Sequence, residues 1–151
     1  MTDTSTTKVD IGFLMRFMDI ASVSPLEGGD PQATVDAQNL FTRYARGKGF
    51  RTELLEPDAA ALRDDPLVPL TLRERIERDP VLVTRQPSVV ARMGASGATA
   101  ARRIVFNFHV DTVGPHISPR LVDAVLYGRG ALDDKGPGIA LLAGVAAAFD
   151  R

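Results

Sequence analysis

The sequence predicts an α/β fold, a layered sheet with flanking helices. Three observations predict it. Segments with helical spacing of apolar residues alternate with short runs rich in β-branched and aromatic residues. The run at 103–109 points Ile104, Phe106 and Phe108 one way and Val105 and His109 the other, the period of a strand. The segment from Pro137 to Arg151 is a helix apolar on nearly every side, which needs cover all round. With 151 residues and 44% apolar side chains, the chain is long enough to enclose one core.

The elements follow in order. Residues 9–20 read as a helix, with Val9, Phe13, Phe17 and Ile20 on one stripe and Leu14 and Met18 beside it. Residues 22–29 carry Pro25, Gly28 and Gly29 and read as a loop. Asp30 before Pro31 is a helix start, an acid to cap the free N–H groups and a proline at the first helical position. That helix shows Ala37, Leu40, Phe41 and Tyr44 on one face, and Gly47 and Gly49 end it. Residues 50–56 read as a strand.

Residues 57–86 change character. Pro57, Pro66, Pro69, Pro80 and a charged stretch at 73–79 mark an insertion over the surface, with one short helix near 72–78. A lid over substrate or a partner contact is one reading, and a solvated excursion is the plainer one. Residues 88–93 read as a strand, 94–100 as a flexible turn of small residues, 103–109 as the strongest strand and 125–127 as a short one. Pro137 opens the last helix. No internal repeat is present.

Composition excludes several classes. A net charge of −1 supplies no basic field for nucleic acid or anionic lipid. Without cysteine there are no disulfides or thiolate ligands, so a metal would sit on His, Asp and Glu. The polar, Thr-rich start lacks the apolar run of a secretory signal. The most hydrophobic stretch, 139–149, falls short of the roughly 20 residues a bilayer crossing needs. The expectation is a soluble, cytoplasmic protein without membrane or nucleic-acid partners.

The chemistry gathers in the last third. Residues i and i+2 of a strand face one side, so His109 and Asp111 project together from the strand's C-terminal end, where open α/β sheets bind ligands. A ligand histidine commonly hands its other ring N–H to a carboxylate, which fixes the tautomer, a role open to Asp111 directly or by orienting the site. A bare His-x-Asp is more often a surface histidine beside a turn aspartate. Gly128 and Gly130 let the chain turn sharply ahead of Asp133 and Asp134. Acids before a helix can serve simply as caps, and Asp134 suits that role, which leaves Asp133 freer to reach a metal.

Taken together, Phe-His-Val-Asp-Thr-Val at 108–113 and Leu-Tyr-Gly-Arg-Gly-Ala-Leu-Asp-Asp-Lys-Gly at 126–136 resemble the dizinc metallopeptidase family that contains acetylornithine deacetylase, succinyl-diaminopimelate desuccinylase, aminoacylase and glutamate carboxypeptidases. The head is similar too, with Ile-Ala-Ser-Val-Ser-Pro at 20–25, a helix, and Lys-Gly-Phe at 48–50. The resemblance covers about residues 9–56 and 87–151. It implies a zinc-dependent exopeptidase-like fold, of which residues 1–151 would be the N-terminal portion of the catalytic domain. It implies zinc-dependent hydrolysis of an amide or peptide bond in an N-acyl amino acid or small peptide, by metal-activated water. His109 would ligate one zinc, Asp133 would bridge two, and Asp111 would be the catalytic carboxylate that partners His109. Asp134, Lys135 and Gly136 would shape the loop and the helix mouth. Cobalt or manganese would suit such ligands nearly as well as zinc. The complete protein would be a homodimer.

The chain also departs from that pattern. The loop at 113–121 is short and lacks tryptophan, Pro137 stands where a second glycine is usual, and His116 is an extra histidine suited to substrate contact or plain exposure. The family's paired glutamates, third acidic ligand and late histidine lie beyond the equivalent of Arg151, as does its smaller dimerisation domain. The last glutamate here is Glu77. The chain alone is therefore expected to be inactive. Two other readings stay open. One is a non-catalytic remnant that acts at most as a binding or interaction domain. The other is a single-metal hydrolase that recruits Asp123, Asp134 or His116.

Overall fold

A computed structural model describes residues 9–80, 83, 86–94 and 103–149. Helix α1 (Ile11–Asp19) begins at Asp10, whose carboxylate accepts the Phe13 N–H at 2.7 Å. Its apolar stripe buries Phe13, Leu14, Phe17 and Met18. Helix α2 (Pro31–Gly47) begins as the Asp30-Pro31 pair predicts, with the Asp30 carboxylate accepting the Gln32 N–H at 2.9 Å. It buries Ala37, Phe41 and Ala45 against α1, and the Phe13 and Tyr44 rings stack with centroids 3.7 Å apart. Gly49, at φ +87°, turns the chain out of α2 through a conformation open to glycine at little cost.

Strand β1 (Arg51–Leu55) follows. The insertion then folds as two helices, α3 (Ala59–Asp64) and α4 (Leu70–Arg78), where the sequence predicts one. The Asp58 carboxylate caps α3 by accepting from Ala60 and Ala61. Ile76 is buried, and Arg75 donates to the Leu26 carbonyl at 2.8 Å, which lays the insertion on the short 3-10 turn Pro25–Glu27. Strand β2 (Ser88–Arg92) pairs antiparallel with β1, Arg51 opposite Arg92 and Leu55 opposite Ser88, and Glu53 and Arg92 form an ion pair across them.

A second antiparallel pair joins β3 (Arg120–Val122) to β4 (Val125–Tyr127). The sequence reading contains β4 and misses β3. Its turn is Asp123-Ala124, both at positive φ (48° and 62°), without the glycine that usually marks a two-residue hairpin. The last helix, α5 (Lys135–Phe149), starts two residues before Pro137. It sends Ile139, Leu142 and Ala146 into the core of α1 and α2. Its opposite side stays open, with Phe149 58% exposed, so the all-round cover expected for it is not supplied by the described residues.

The described residues thus hold helices and two separate two-stranded antiparallel sheets in place of one layered sheet. The strand predicted most strongly is the clearest difference. Residues 103–109 join no ladder, and Ile104 and Val105 are 81% and 87% exposed. A strand forms only when a neighbour accepts its backbone bonds. Among the described residues, the isolated bridge nearby is a parallel one between Val23 and Thr112. The turn expected at 94–100 lies, from residue 95 on, outside the described residues. Among the described residues no helix is long and apolar enough to cross a membrane.

Candidate functional site

Phe108 anchors the histidine segment. Its ring packs edge-on against Phe41 with centroids 5.2 Å apart and lies across Gly138 of α5, where a Cβ would overlap it. With residue 108 turned to the core, His109 points outward. Two bonds bracket the next residues. Ser22 Oγ donates to the Val110 carbonyl at 2.7 Å, and the Thr112 N–H donates to the Ser22 carbonyl at 2.8 Å. Further on, the Glu27 carboxylate accepts the Gly114 N–H at 3.0 Å, a role the sequence reading did not give it.

The acidic loop is built differently. Gly130, at φ +86°, turns the chain, its carbonyl accepts the Gly136 N–H at 3.0 Å, and the Asp134 carbonyl accepts the Gly138 N–H as α5 begins. The Asp133–Asp134 peptide is cis. Lys135 is fully buried. Its Nζ donates to the carbonyls of Phe17 and Ile20, 2.9 Å each, and sits 5.1 Å from the centre of the Phe17 ring. The sequence reading gave Lys135 only a loop-shaping part. A lysine that opens an almost wholly apolar helix is the signal that could have marked it as an internal tie.

The structure brings His109 and Asp133 together. His109 Nε2 lies 3.0 Å from Asp133 Oδ1. The other ring nitrogen, Nδ1, lies 2.9 Å from the backbone carbonyl oxygen of Asp111 and 3.5 Å from its carboxylate. Asp111 therefore reaches the ring mainly through its main chain, where the sequence reading assigns its side chain. The carbonyl and the carboxylate both only accept, so an imidazolium with a proton on each nitrogen satisfies both. A neutral ring with its proton on Nδ1 leaves the Nε2 lone pair facing the carboxylate, an arrangement favourable only with a cation between the two atoms.

The electrostatics follow. Partial burial works to lower the His109 pKa, but the bonds to the Asp111 carbonyl and the Asp133 carboxylate, with both negative charges, outweigh it and raise it. Burial pushes the Lys135 ammonium down to about 8, against the opposing pull of the Asp111 carboxylate.

An imidazole nitrogen and a carboxylate oxygen are ordinary zinc donors, each at about 2.0–2.2 Å from the ion. Two such donors on a tetrahedral ion stand about 3.4 Å apart, so the 3.0 Å between them is a hydrogen-bond distance that opens to a shared ion by a small shift. By donor type His109 and Asp133 suit part of a metal site. Among the described residues no group of three or more His, Asp or Glu side chains is placed to hold a metal. Asp123 lies in the β3–β4 turn, and His116 is half-buried in the loop before it. Neither makes a third donor with the pair.

Comparison with known proteins finds similarity over a limited segment. The chain is 49% identical over 39 residues to a [LysW]-lysine/[LysW]-ornithine hydrolase of Saccharolobus islandicus (strain L.S.2.15 / Lassen #1). It is 51% identical over 39 residues to the enzyme of that name from Sulfurisphaera tokodaii. In both, the match covers 26% of this chain and 11% of the relative, so it spans about a ninth of the relatives' length. No protein-family model matches the chain, and no solved structure matches it. The similarity is to hydrolases, over about a quarter of the chain.

Proposed function

We propose that His109 and Asp133 are two donors of a zinc site in a hydrolase that cleaves an amide or peptide bond of an N-acyl amino acid or small peptide. The observation that carries this reading is the 3.0 Å approach of His109 Nε2 to Asp133 Oδ1, with Nδ1 committed to the Asp111 carbonyl. The 39-residue likeness to hydrolases supports the reaction class.

The chain's own residues have defined parts in it. With its proton on Nδ1 given to the Asp111 carbonyl, His109 would have its Nε2 lone pair free for an ion. Asp133, with its side chain 81% exposed, offers an open carboxylate that water and substrate can approach. When bound, zinc supplies a Lewis acid for the amide carbonyl and acidifies water toward neutrality. The further donors and the proton-accepting base that the reaction requires lie outside the group formed by these two residues.

Titration of the protein with zinc against a chromophoric chelator tests the site. Zinc uptake is expected to fall at least tenfold in His109→Ala and equally in Asp133→Ala. Unchanged affinity in both variants would remove the metal reading. Incubation with N-acetyl amino acids and dipeptides, with and without zinc, tests the reaction. Amide cleavage that survives Asp133→Ala would place the chemistry elsewhere.

One observation favours a second reading, a non-catalytic domain that binds a protein partner. Ile104, Val105 and Phe106 stand exposed on a segment of strand-like pattern that joins no ladder, a pattern suited to accepting an added strand. Under this reading zinc and acylated substrates leave the protein unaffected.

A further inference from the structure

We propose that the turn at residues 20–24, where α1 ends, is the jig that sets the distance between His109 and Asp133, and that Ser22 and Lys135 are its two positioning residues. The proposal rests on reading that pair as the working site. It goes beyond that reading by naming what aligns it.

The need for a jig follows from how the pair is built. His109 and Asp133 are 24 residues apart, and neither lies on a strand or inside a helix. The histidine segment has no ladder to hold it, and the Asp133 side chain is largely in solvent. A 3.0 Å approach between two such groups has to be imposed through their backbones.

Both backbones are tied to one short stretch. On the histidine side, buried Ser22 donates its hydroxyl to the Val110 carbonyl at 2.7 Å. Its own carbonyl accepts the Thr112 N–H, and the Ser24 N–H donates to the Thr112 carbonyl, each at 2.8 Å. These bonds grip the residues on either side of Asp111, whose carbonyl orients the imidazole. On the acid side, Lys135 follows Asp133 by two residues and delivers its ammonium to the carbonyls of Phe17 and Ile20. Those carbonyls belong to the C-terminal end of α1, the negative end of its dipole. Gly130 leaves room for the Lys135 stem, since a Cβ there would stand 3.2 Å from its Cδ.

An ammonium is a costly choice for this place. A buried charge is expensive to desolvate, and an apolar side chain of similar volume commonly serves stability as well or better. What methionine cannot do is reach two named carbonyls and fix the loop by direction as well as by volume. Lys135 accordingly acts through geometry, with stability a secondary effect.

The test compares Lys135→Met and Ser22→Ala with the unmodified protein by NMR in the absence of metal. Contacts between the His109 ring protons and the Asp133 β protons report the site. Contacts between Phe17 and Phe41 report the core. The expectation is that each variant keeps the core contacts and loses at least half the intensity of the His109–Asp133 contact. Lys135→Cys alkylated to the aminoethyl derivative restores the contact, and the neutral propyl derivative does not. The sequence has no other cysteine to interfere.

Undiminished His109–Asp133 contacts in both folded variants would overturn the proposal. If Lys135→Met does not fold, Ser22→Ala and the two alkylated forms decide it. Zinc affinity, measured in parallel, separates this proposal from the functional reading. A protein that takes up no zinc, yet loses the contact in both variants, refutes the metal site and upholds the jig. Equal zinc affinity in all forms that bind it, with the contact intact, refutes the jig and leaves the metal site.

Discussion

The Nε2 atom of His109 stands 3.0 Å from Oδ1 of Asp133, while Nδ1 of the same ring stands 2.9 Å from the Asp111 carbonyl. The imidazole is held between two oxygen acceptors, and a neutral ring has only one proton to offer them. Its protonation state is thereby coupled to whatever sits beside Asp133.

The first consequence is a titration. In metal-free protein His109 holds its proton to a higher pH than an ordinary imidazole. The folded pKa is raised, so the stabilisation from this group is complete below the unfolded value of about 6.5 and is lost as pH rises through the folded pKa. Asp133→Asn removes the charge and lowers the His109 pKa toward the ordinary value. Proton NMR of the His109 ring across pH 5–9 measures both. Identical titration in the two proteins would show that Asp133 does not face the ring in solution.

Lys135 titrates in the opposite sense. Its folded pKa of about 8 lies below the ordinary 10.5, so between those pH values the unfolded chain binds a proton that the folded chain has released. Stability from this group therefore rises with pH across that window, by on the order of 3 kcal/mol in total. A neutral amine keeps two N–H donors, enough for both carbonyls. Urea unfolding at pH 7.5 and pH 10 should show the unmodified protein gaining on Lys135→Met. A flat difference would mean that the ammonium is better solvated than its burial indicates.

Gly138 tests the packing behind the site. A methyl group there overlaps the Phe108 ring, which must leave its place between Phe41 and α5. Gly138→Ala should destabilise the fold by about 1–3 kcal/mol, as overpacking of a filled core does. It should also move His109, the next residue along the chain. Denaturant unfolding reads the first effect and the ring chemical shifts of His109 the second.

The β3–β4 turn holds an alanine where glycine is at ease. Ala124 sits at φ +62°, a left-handed conformation that costs a non-glycine residue about 1–2 kcal/mol. Ala124→Gly should therefore leave the hairpin register intact and raise or hold the unfolding midpoint, the added chain entropy offsetting part of the relief. A clear loss of stability would show that the turn relaxes in solution to another form.

Local signals in the amino-acid order account for much of this architecture. The apolar stripe through Phe13 and Phe17 determined α1, and Asp30-Pro31 determined where α2 begins, because helix periodicity and capping act within a few residues. The strand period ending at His109 and the glycines ahead of Asp133 singled out two side chains that the structure brings within 3.0 Å of one another. Tertiary structure alone decided the rest. Residues 103–109 have the pattern of a strand but remain unladdered, since pairing depends on a neighbour that their own order cannot supply. The meeting of His109 with Asp133, the tie from Ser22 to Val110 and the ties from Lys135 to Phe17 and Ile20 join residues up to 118 positions apart. Bonds of that range are set by how the elements pack against one another, and no local pattern encodes them.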